Sequence, residues 1–410
     1  MQAAQSEADI LVIGTGAAGL SAAIALAKAG FSVIAVGAVE QRGGGRTVAL
    51  FEASLRFYDA LGLWPQLADC AARIETIRMV DATGSRVPIP PIEFAAREIG
   101  LPGFGENIEN DRLVERLAAI ARETPSLSVQ EERLVDIAEG SDHLRAIFES
   151  GHSIDARLIV GADGQRSTVR AKARIGARRW TYPQVAMTVL TAHEKPHRGT
   201  SVEFHTRSGP CTLVPLPPCQ NAPHRSSLVW LMSAEAATRR RSLTDAALAA
   251  EIERQVAAIF GHMRLDGECG TFPMMGLRVS RLTGRRIALL GEAAHVFPPL
   301  AAQGLNLSLR DTAALVDCVD MARASGQDIG GAAALAAYAD ARRADISLRT
   351  HGIDILNRSL LADFLPVDLL RGAGFLAFTM IGPLRRAIMR EGILPHGHLP
   401  PLMQRPRAFP

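Results

Sequence analysis

Three glycines near the start of the chain have a spacing that suits pyrophosphate binding. Gly14, Gly16 and Gly19 stand between the apolar run 10–13 and an alanine-rich segment that predicts a helix, and a second apolar run follows at 32–36. In such a strand–turn–helix–strand unit, the first glycine permits the tight turn. The second lets the backbone approach phosphate oxygens, and the third lets helix and strand pack closely. Because free N–H groups at a helix start attract anions, this stretch predicts a dinucleotide-binding site.

The acidic residue that usually binds the ribose is missing from its normal place. In this kind of unit a carboxylate closes the second strand and accepts hydrogen bonds from the ribose hydroxyls. Here that position is Gly37, and Glu40 lies three residues later. We therefore expect Glu40 to take over the ribose contact from the loop.

A second stretch with a polar turn contains Asp163 and Gly164. Both follow the apolar strand 156–160, and they precede a predicted helix start at Ser167. A turn of small residues in this position suits backbone contact with anionic groups. An ordinary helix start with a side-chain cap explains the pattern equally well, so this turn alone does not decide between the two.

A third stretch places a carboxylate at the end of another strand. Gly291 and Glu292 follow the apolar run 287–290 and lead through a loop with His295 to a predicted helix start at Gln303. A carboxylate in this position can accept hydrogen bonds from hydroxyl groups, and a helix N-terminus can stabilise negative charge on a ring system. His295 could transfer a proton, although a loop histidine more often has a structural role.

Composition limits the classes of protein to consider. The chain has 410 residues, of which 48% are hydrophobic, enough for one large core or two smaller ones. The net charge is only +3, and no basic run interleaved with aromatic residues argues for nucleic-acid binding. The five scattered cysteines argue against a disulfide framework or a metal site and suit a reducing cytoplasm. We identify no signal peptide, and the nearest candidate membrane span, 369–384, is too short and contains Arg371 and Pro383.

In order and spacing, the three stretches resemble the motifs of the flavoprotein aromatic hydroxylases. These motifs are an N-terminal FAD fingerprint, a D-G motif, and a G-D motif followed by H…P-x-x-G-Q-G-x-N. Residues 46–50 with 61–64 are similar to the R-x-x-A-L…L-G-x-W signature of one branch, the hydroxylases of ubiquinone biosynthesis. Residues 104–110 resemble the F-G…E-N element of the same branch. The resemblance covers nearly the whole chain.

The resemblance implies an α/β fold with a Rossmann-like FAD-binding domain of the aromatic-hydroxylase type. Short runs of alternating polarity fill residues 181–272, with one predicted helix over 243–260. They predict an antiparallel β-sheet substrate domain that is inserted into the FAD-binding domain. A C-terminal helical segment follows. The predicted division is an FAD-binding domain of 1–75, 101–178 and 273–345, a substrate domain of 76–100 and 179–272, and C-terminal helices over 346–410.

The cofactor implied by the resemblance is FAD, with NAD(P)H or another electron donor as co-substrate. Arg46 would reach the cofactor from a loop, and Asn110 would lie near its ribityl chain. Asp163 would serve both FAD and the nicotinamide cofactor, and Pro299 would line the flavin face. The implied cofactor-binding residues are Gly14, Gly16, Ala17, Ala18, Gly19, Glu40, Arg46, Asn110, Asp163, Gly164, Gly291, Glu292, Pro299, Gln303, Gly304, Leu305 and Asn306.

The flavin ring would meet the third stretch. Gly291 and Glu292 would bind the ribityl hydroxyls. The N–H groups of Gly304, Leu305 and Asn306 would stabilise negative charge at flavin N1 and O2. No metal site is predicted.

The chain departs from the family pattern at three positions. Gly37 replaces the ribose carboxylate, and Glu292 replaces an aspartate, which moves its carboxylate out by one methylene. Ala302 replaces the first glycine of the G-Q-G turn. Alanine is less favourable than glycine where the backbone needs a positive φ, so the affinity for FAD, more than its position, depends on these three residues.

The implied reaction is hydroxylation of the ring of a polyprenylated phenol or quinol precursor in ubiquinone biosynthesis, through a flavin C4a-hydroperoxide formed with O2. Because the flavin carries the difficult chemistry, we assign no catalytic base. We expect a cytoplasmic protein whose inserted sheet covers an apolar pocket. Residues 360–391 contain several arginines and either contact the inner face of an anionic membrane or pack as a helical cap. A biosynthetic complex is a further alternative for its partners.

Two other classes of function stay open at this point. One is another flavoprotein of the same fold, such as a hydroxylase of a soluble aromatic compound or a prenyl reductase. A halogenase is disfavoured because the chain has no W-x-W-x-I-P element. The other class is a non-catalytic scaffold that has kept the flavin fold within a biosynthetic complex.

Overall fold

A computed structural model describes residues 5–38, 43–83, 90–206, 209–298, 302–361, 382–394, 399–404 and 407. The strands are β1 Gln5–Ile13, β2 Val33–Val36, β3 Thr47–Phe51, β4 Ala71–Ile74, β5 Thr76–Asp81, β6 Ile92–Ala95, β7 Gly105–Glu109, β8 Leu127–Gln130, β9 Leu134–Glu139, β10 Leu144–Phe148, β11 Ser153–Gly161, β12 Ala177–His193, β13 Thr200–Thr206, β14 Gly209–Leu216, β15 Arg225–Ser233, β16 Met263–Leu265, β17 Gly270–Val279, β18 Thr283–Gly284, β19 Ile287–Leu289 and β20 His295–Val296. The α-helices are α1 Ala17–Lys28, α2 Glu52–Ala60, α3 Asn110–Glu123, α4 Thr168–Lys172, α5 Ala234–Arg241, α6 Asp245–Gln255, α7 Gln303–Ala324, α8 Ala332–Leu361 and α9 Gly382–Ile393.

The first sheet contains the strands that carry the three motifs. Its order is β18-β19-β11-β1-β2-β8, and β19, β11, β1, β2 and β8 run parallel. Side chains of β1 are buried on both faces, as parallel strands require. One face packs against α1, α3 and α7. Strands β9 and β10 form an antiparallel hairpin that extends this sheet from β11, while β8 joins the parallel strands.

The second sheet has the order β20-β17-β12-β15-β14-β13-β5-β6 and is antiparallel except for the pair β13–β5. Helices α5 and α6 pack on one face of it. The helix predicted over 243–260 is present as α6 but ends at Gln255, and the preceding α5 was not predicted. The hydroxyls of Ser233 and Thr244 each accept a backbone N–H and so start two separate helices. Positive φ angles at Ala257 and Ala258 then follow the end of α6 at Gln255.

A small sheet, β3-β7-β4, joins the two larger ones. Thr47 of β3 donates a hydrogen bond to the Ser227 hydroxyl of the second sheet at 2.8 Å. The Asn107 amide of β7 donates to the carbonyl of Pro215 at 2.8 Å. The domain division given above stays a prediction. The pairing of β5 with β13, and of β6 with β5, supports its assignment of residues 76–100 to the substrate domain.

The C-terminal part packs against both larger regions. Helix α8 runs through the predicted boundary at 345–346 without interruption. In α9, Met389 and Ile393 are buried in the cluster that contains Phe94, and Arg385 forms an ion pair with Glu98 at 2.7 Å. Residues 362–381 lie outside the described part of the chain. Within the described ranges, no helix combines the length and the apolar character needed to cross a membrane.

Candidate active site

The glycine turn between β1 and α1 is shaped by close backbone contacts. A Cβ atom on Gly14, whose φ is +117°, would lie 2.3 Å from the carbonyl oxygen of Ala162. A Cβ atom on Gly19 would lie 1.9 Å from the carbonyl oxygen of Gly14. A Cβ atom on Gly16, in contrast, would have no heavy atom within 4 Å. Gly16 is the N-cap of α1 and provides no side-chain hydrogen bond there. The packing therefore requires Gly14 and Gly19, while Gly16 leaves open space beside the free N–H groups of α1, where Ala17 and Ala18 begin the helix.

Thr15 explains why Gly37 carries no carboxylate. The Thr15 hydroxyl donates a hydrogen bond to the carbonyl of Ala38 at 2.8 Å. A Cβ atom on Gly37 would lie 2.9 Å from that hydroxyl oxygen and 3.1 Å from the Thr15 nitrogen. The threonine thus occupies the space that a larger side chain at the end of β2 would need. Glu40, predicted to replace the missing acid, lies outside the described residues.

The turns of the three motifs meet at one edge of the first sheet. Strand β11 lies between β1 and β19. At its end, the N–H of Ala162 donates to the carbonyl of Ile13 at 2.8 Å, and the N–H of Leu290 donates to the carbonyl of Gly161 at 3.0 Å. In open α/β sheets this carboxyl edge is where ligands bind.

Asp163 combines a structural contact with an unused acceptor. Its Oδ2 accepts the N–H groups of Thr168 at 2.6 Å and Val169 at 3.1 Å, which holds the start of α4. Burial raises the pKa of this carboxyl group. Its Oδ1 is buried and has no hydrogen-bond partner, and the neighbouring Gly164 has no heavy atom within 4 Å of its missing Cβ. A buried acceptor beside open backbone fits a ligand hydroxyl or N–H group.

Contacts with α7 fix the turn at Gly291, and the carboxylate of the neighbouring Glu292 is accessible. Gly291 has a φ of +58°, and a Cβ there would lie 2.9 Å from the Ser308 hydroxyl oxygen of α7. Its N–H donates to Oδ2 of Asp311 at 3.1 Å. The side chain of Glu292 is exposed. The longer carboxylate is therefore available to hydroxyl groups at the sheet edge.

Behind this turn lies a buried charged group that the sequence did not reveal. Oδ2 of Asp311 is 2.6 Å from Nε2 of His295, and its Oδ1 accepts a hydrogen bond from Nε of Arg342 at 2.8 Å. Burial alone would raise the pKa of Asp311, but His295 and Arg342 lower it to about 2. His295 is buried in this contact, which supports the structural interpretation over proton transfer. Asp311 lies in the third stretch, whereas Arg342 comes from α8, so only the fold brings them together.

The start of α7 is strained and firmly anchored. Ala302 has φ +49° and ψ +33°, the left-handed conformation anticipated for the replaced glycine. The Asn306 side chain accepts from the N–H of Phe51 at 2.9 Å and donates to the carbonyl of Ala302 at 2.6 Å. This amide is committed to the fold and is not available to a ligand. Gly304 has open space at its missing Cβ.

Arg46 and Asn110 lie together beside the second sheet. The N–H of Asn110 donates to the carbonyl of Arg46 at 2.9 Å, and the Arg46 guanidinium carbon lies 4.8 Å from the ring centroid of Phe272. A Cβ on Gly45 would come within 2.8 Å of Val189, so this loop is held tightly against the second sheet. Pro299, expected on the flavin face, lies outside the described residues.

Together these features fit an FAD molecule. The starts of α1 and α7 offer free N–H groups for the pyrophosphate and for negative charge on the flavin ring. The unpartnered Oδ1 of Asp163 and the exposed Glu292 offer acceptors for hydroxyl groups. Gly16 and Gly304 leave open space beside the two helix starts. Among the described residues, no cluster of His, Cys, Asp and Glu side chains is suited to hold a metal ion.

An apolar surface of the second sheet belongs to the same region. Leu231 and Met274 are buried, while Tyr182, Val229 and Phe297 pack against them and are only partly buried. Because side chains alternate along a strand, Val229 and Leu231 lie on the face opposite to the one that α5 and α6 cover. Phe297 follows the third motif directly and stacks on His295 with 5.1 Å between the ring centroids. This surface suits an apolar ligand.

Comparison with known proteins gives consistent results. The sequence model of the family described as FAD binding domain matches residues 7–347. The chain is 34% identical over 411 residues to the ubiquinone hydroxylase UbiL of Rhodospirillum rubrum, with 98% of this chain and 94% of that protein covered. It is 27% identical to the 3-demethoxyubiquinol 3-hydroxylase of Escherichia coli, with 94% and 98% covered.

Solved structures share the fold at low sequence identity. The p-nitrophenol 4-monooxygenase PnpA of Pseudomonas putida matches with a TM-score of 0.76 and 18% identity, over 94% of this chain and 97% of that one. A mutant of Pseudomonas aeruginosa PqsL matches with a TM-score of 0.73 and 20% identity, over 90% of this chain and 100% of that one. These structures confirm the predicted aromatic-hydroxylase fold.

Proposed function

We propose that this chain, which belongs to the FAD binding domain family and is an FAD-dependent monooxygenase, hydroxylates the aromatic ring of a polyprenylated phenol or quinol precursor of ubiquinone. Relatives that align with over nine-tenths of the chain are named ubiquinone hydroxylase and 3-demethoxyubiquinol 3-hydroxylase. The structural observation that carries the proposal is the partly buried apolar face around Val229, which adjoins the third motif. A lipophilic ring can lie there and still reach the flavin.

The set of cofactor-binding residues stays a prediction, and the geometry supports a division of roles among those that the structure describes. We propose that residues 14–19 bind the pyrophosphate, and that Asp163 and Glu292 accept hydrogen bonds from hydroxyl groups. When bound, FAD supplies the reaction of O2 with the ring. The free N–H groups of Gly304 and Leu305 stabilise the negative charge that develops on the flavin, because they lie at the positive end of α7.

The chain itself contributes positioning and exclusion of water. The second sheet covers the site from one side, and the hydrogen bonds Thr47–Ser227 and Asn107–Pro215 fix this sheet to the strands next to Arg46. A closed apolar site prevents water from consuming reactive intermediates. We propose NAD(P)H as the electron donor, with its contact near Asp163, and a dedicated electron-transfer partner as the alternative.

Peripheral contact with the inner face of a membrane stays a proposal, motivated by the lipophilic substrate. In α9, Met389 and Ile393 are packed inside the molecule, whereas Arg386 and Arg390 are exposed. If α9 contacts anionic lipid, the charge reversal R386E/R390E should reduce co-sedimentation with vesicles that contain phosphatidylglycerol. It should leave FAD content unchanged. Unaltered co-sedimentation would assign the helix to packing alone.

The first test of the proposed function is a visible absorption spectrum of the purified protein. Oxidised-flavin bands, followed by O2-dependent consumption of NAD(P)H and a product 16 mass units heavier than an added prenylated phenol, are the expected results. Expression should also restore ubiquinone in a bacterium that lacks its 3-demethoxyubiquinol 3-hydroxylase or another ring hydroxylase. The variant G16A is the matched control, because the protein leaves room for its Cβ while a pyrophosphate does not.

Three results would contradict the proposal in different ways. A colourless protein that takes up no added FAD would favour the non-catalytic scaffold. A flavoprotein that hydroxylates only soluble phenols would point to a different monooxygenase. Reduction of prenyl double bonds in place of ring hydroxylation would assign the chain to the reductases of the same fold.

A further inference from the structure

The first turn of α7 adopts a backbone conformation that its sequence does not favour. Ala302 is left-handed, and no side chain caps the helix at this point. An alanine with positive φ persists only where its surroundings determine the conformation. The contacts that hold this turn are therefore part of the site, because the N–H groups of Gly304 and Leu305 depend on it.

Gln303 connects the turn to α8 and α9. Its side chain is buried, with 6% of its surface exposed. Its Oε1 accepts a hydrogen bond from Nη1 of Arg349 at 2.9 Å and lies 3.5 Å from Nη2 of Arg310. Its Nε2 is 3.5 Å from the carbonyl oxygen of Gly392 in α9. The firmest of these contacts comes from Arg349, a residue of α8.

Arg349 is itself fixed at each of its nitrogen atoms. Its Nε donates to Oδ1 of Asp345 at 3.0 Å, and its Nη2 lies 3.4 Å from the carbonyl oxygen of Glu391. Asp345 also pairs with Arg310 at 3.1 Å and with Arg342 at 2.9 Å. Since Arg342 binds Asp311, which holds the Gly291 turn, one connected group of side chains supports both turns next to the flavin ring.

This connected group carries a surplus of positive charge. It contains three arginines, at 310, 342 and 349, and two aspartates, at 311 and 345. Burial lowers the pKa of Arg310 to about 9, which leaves it charged at neutral pH. The surplus positive charge of this group lies near the N-terminal end of α7 and adds to the positive end of the helix dipole.

We propose that Arg349 is a positioning residue for the flavin site. It holds Gln303, and through it the left-handed turn at Ala302, in the geometry that presents the first N–H groups of α7 to the flavin. Its charge also favours the reduced, anionic form of the flavin. This inference rests on the proposed function, because it assigns the start of α7 to the flavin ring. The family pattern does not predict this role of Arg349, since the pattern covers the turn and not α8.

Four variants separate position from charge. R349M removes both the hydrogen-bonding guanidinium group and its charge, whereas R349K keeps only the charge. A302G relieves the strained backbone, because glycine adopts positive φ without cost. R343M is the matched control, because Arg343 lies on the same helix in an exposed ion pair with Asp340. For each purified holoenzyme we would measure the dissociation constant of FAD by fluorescence and the midpoint potential of the bound flavin.

We expect R349M to weaken FAD binding about tenfold, as the loss of a partly buried charge-assisted hydrogen bond implies. Its midpoint potential should become more negative. R349K should weaken binding similarly but keep a potential near that of the wild type. The double variant A302G/R349M should regain most of the affinity without regaining the potential, and R343M should match the wild type in both.

Two results would overturn the inference. R349M with wild-type affinity and potential would show that Arg349 has no influence on the site. Failure of A302G to rescue R349M would show that its influence does not pass through the turn. If the wild type binds no FAD, the proposed function fails, and thermal unfolding of the wild type, R349M, A302G and A302G/R349M still decides whether Arg349 and Ala302 are coupled.

Discussion

The two ends of the cofactor site are built by different means. At the end formed by residues 14–19, the backbone packs so closely that two positions have no room for a side chain. A Cβ atom added to Gly19 or Gly14 would lie 1.9 Å or 2.3 Å from a backbone carbonyl oxygen. At the end formed by the start of α7, the backbone is strained, and buried side chains from α8 hold it. The first end depends on backbone packing, whereas the second depends on charged hydrogen bonds.

The difference shows which changes each end tolerates. A backbone turn fixed by close contacts fails through steric overlap and responds little to pH or salt. A turn fixed by charged side chains fails when a partner is removed, because a buried charge is then left without compensation. The departures from the family pattern follow this division. Gly37 packs against the glycine turn itself, at Thr15, whereas Ala302 is held through side chains of α8.

The largest effect is expected from G19A. Its Cβ would lie 1.9 Å from the carbonyl oxygen of Gly14, so the turn must open and α1 must shift. We expect loss of FAD binding by more than about 100-fold together with a lower melting temperature, since overpacking costs about 1–3 kcal/mol. G16A should lose FAD equally, but with FAD removed from all the proteins it should keep the melting temperature of the wild type, because bound FAD itself raises that temperature. If both variants behaved alike in stability, the steric account of the first end would be wrong.

D311N tests the second end by removing the negative charge that Arg342 and His295 share. The variant keeps the shape of the side chain but leaves the buried Arg342 without a full partner. We expect a loss of about 3 kcal/mol in the free energy of unfolding, the lower end of the range for breaking a buried pair. Urea unfolding of the two proteins at pH 7 measures it. A loss below about 0.5 kcal/mol, typical of an exposed pair, would remove the charged network from the account.

The acid dependence of stability should distinguish the two ends further. Asp311 has a pKa of about 2 in the folded protein, below the unfolded value of about 3.9. Its contribution is therefore complete above about pH 5 and is lost progressively as the pH falls through 2, by about 2–3 kcal/mol in total. Unfolding measured from pH 5 to pH 3 should show a shallower decline in D311N than in the wild type. Parallel curves would contradict the assignment.

The smallest effect is expected at Gly37. The variant G37D would place its Cβ 2.9 Å from the Thr15 hydroxyl oxygen, so we expect about tenfold weaker FAD binding, or about 1.4 kcal/mol. T15A/G37D removes the overlap with the hydroxyl but keeps the Thr15 nitrogen 3.1 Å from the added Cβ and the positive φ at residue 37, so it should regain only part of the lost affinity. Tighter binding by G37D alone would show that Thr15 does not block this position.

Much of this protein could be predicted from its sequence, because the decisive signals are local. The glycine spacing, the two later strand–turn–helix patterns and the inserted sheet all appear in runs of a few tens of residues. The helix predicted over 243–260 is present but ends at Gln255, and the preceding helix α5, which starts at Ser233, was not predicted. Family resemblance then turned these patterns into an FAD-dependent monooxygenase, which the comparisons confirm.

The contacts that complete the site were beyond prediction because they join distant parts of the chain. No sequence pattern marks these contacts. They are the contact of Thr15 with Gly37, those of His295 and Arg342 with Asp311, and that of Arg349 with Gln303. By itself, the sequence determined where the three turns lie and that their backbones can approach a dinucleotide. Only the tertiary structure decided how the strained start of α7 is held, because that depends on which buried charges the packing of α7, α8 and α9 brings within hydrogen-bond distance.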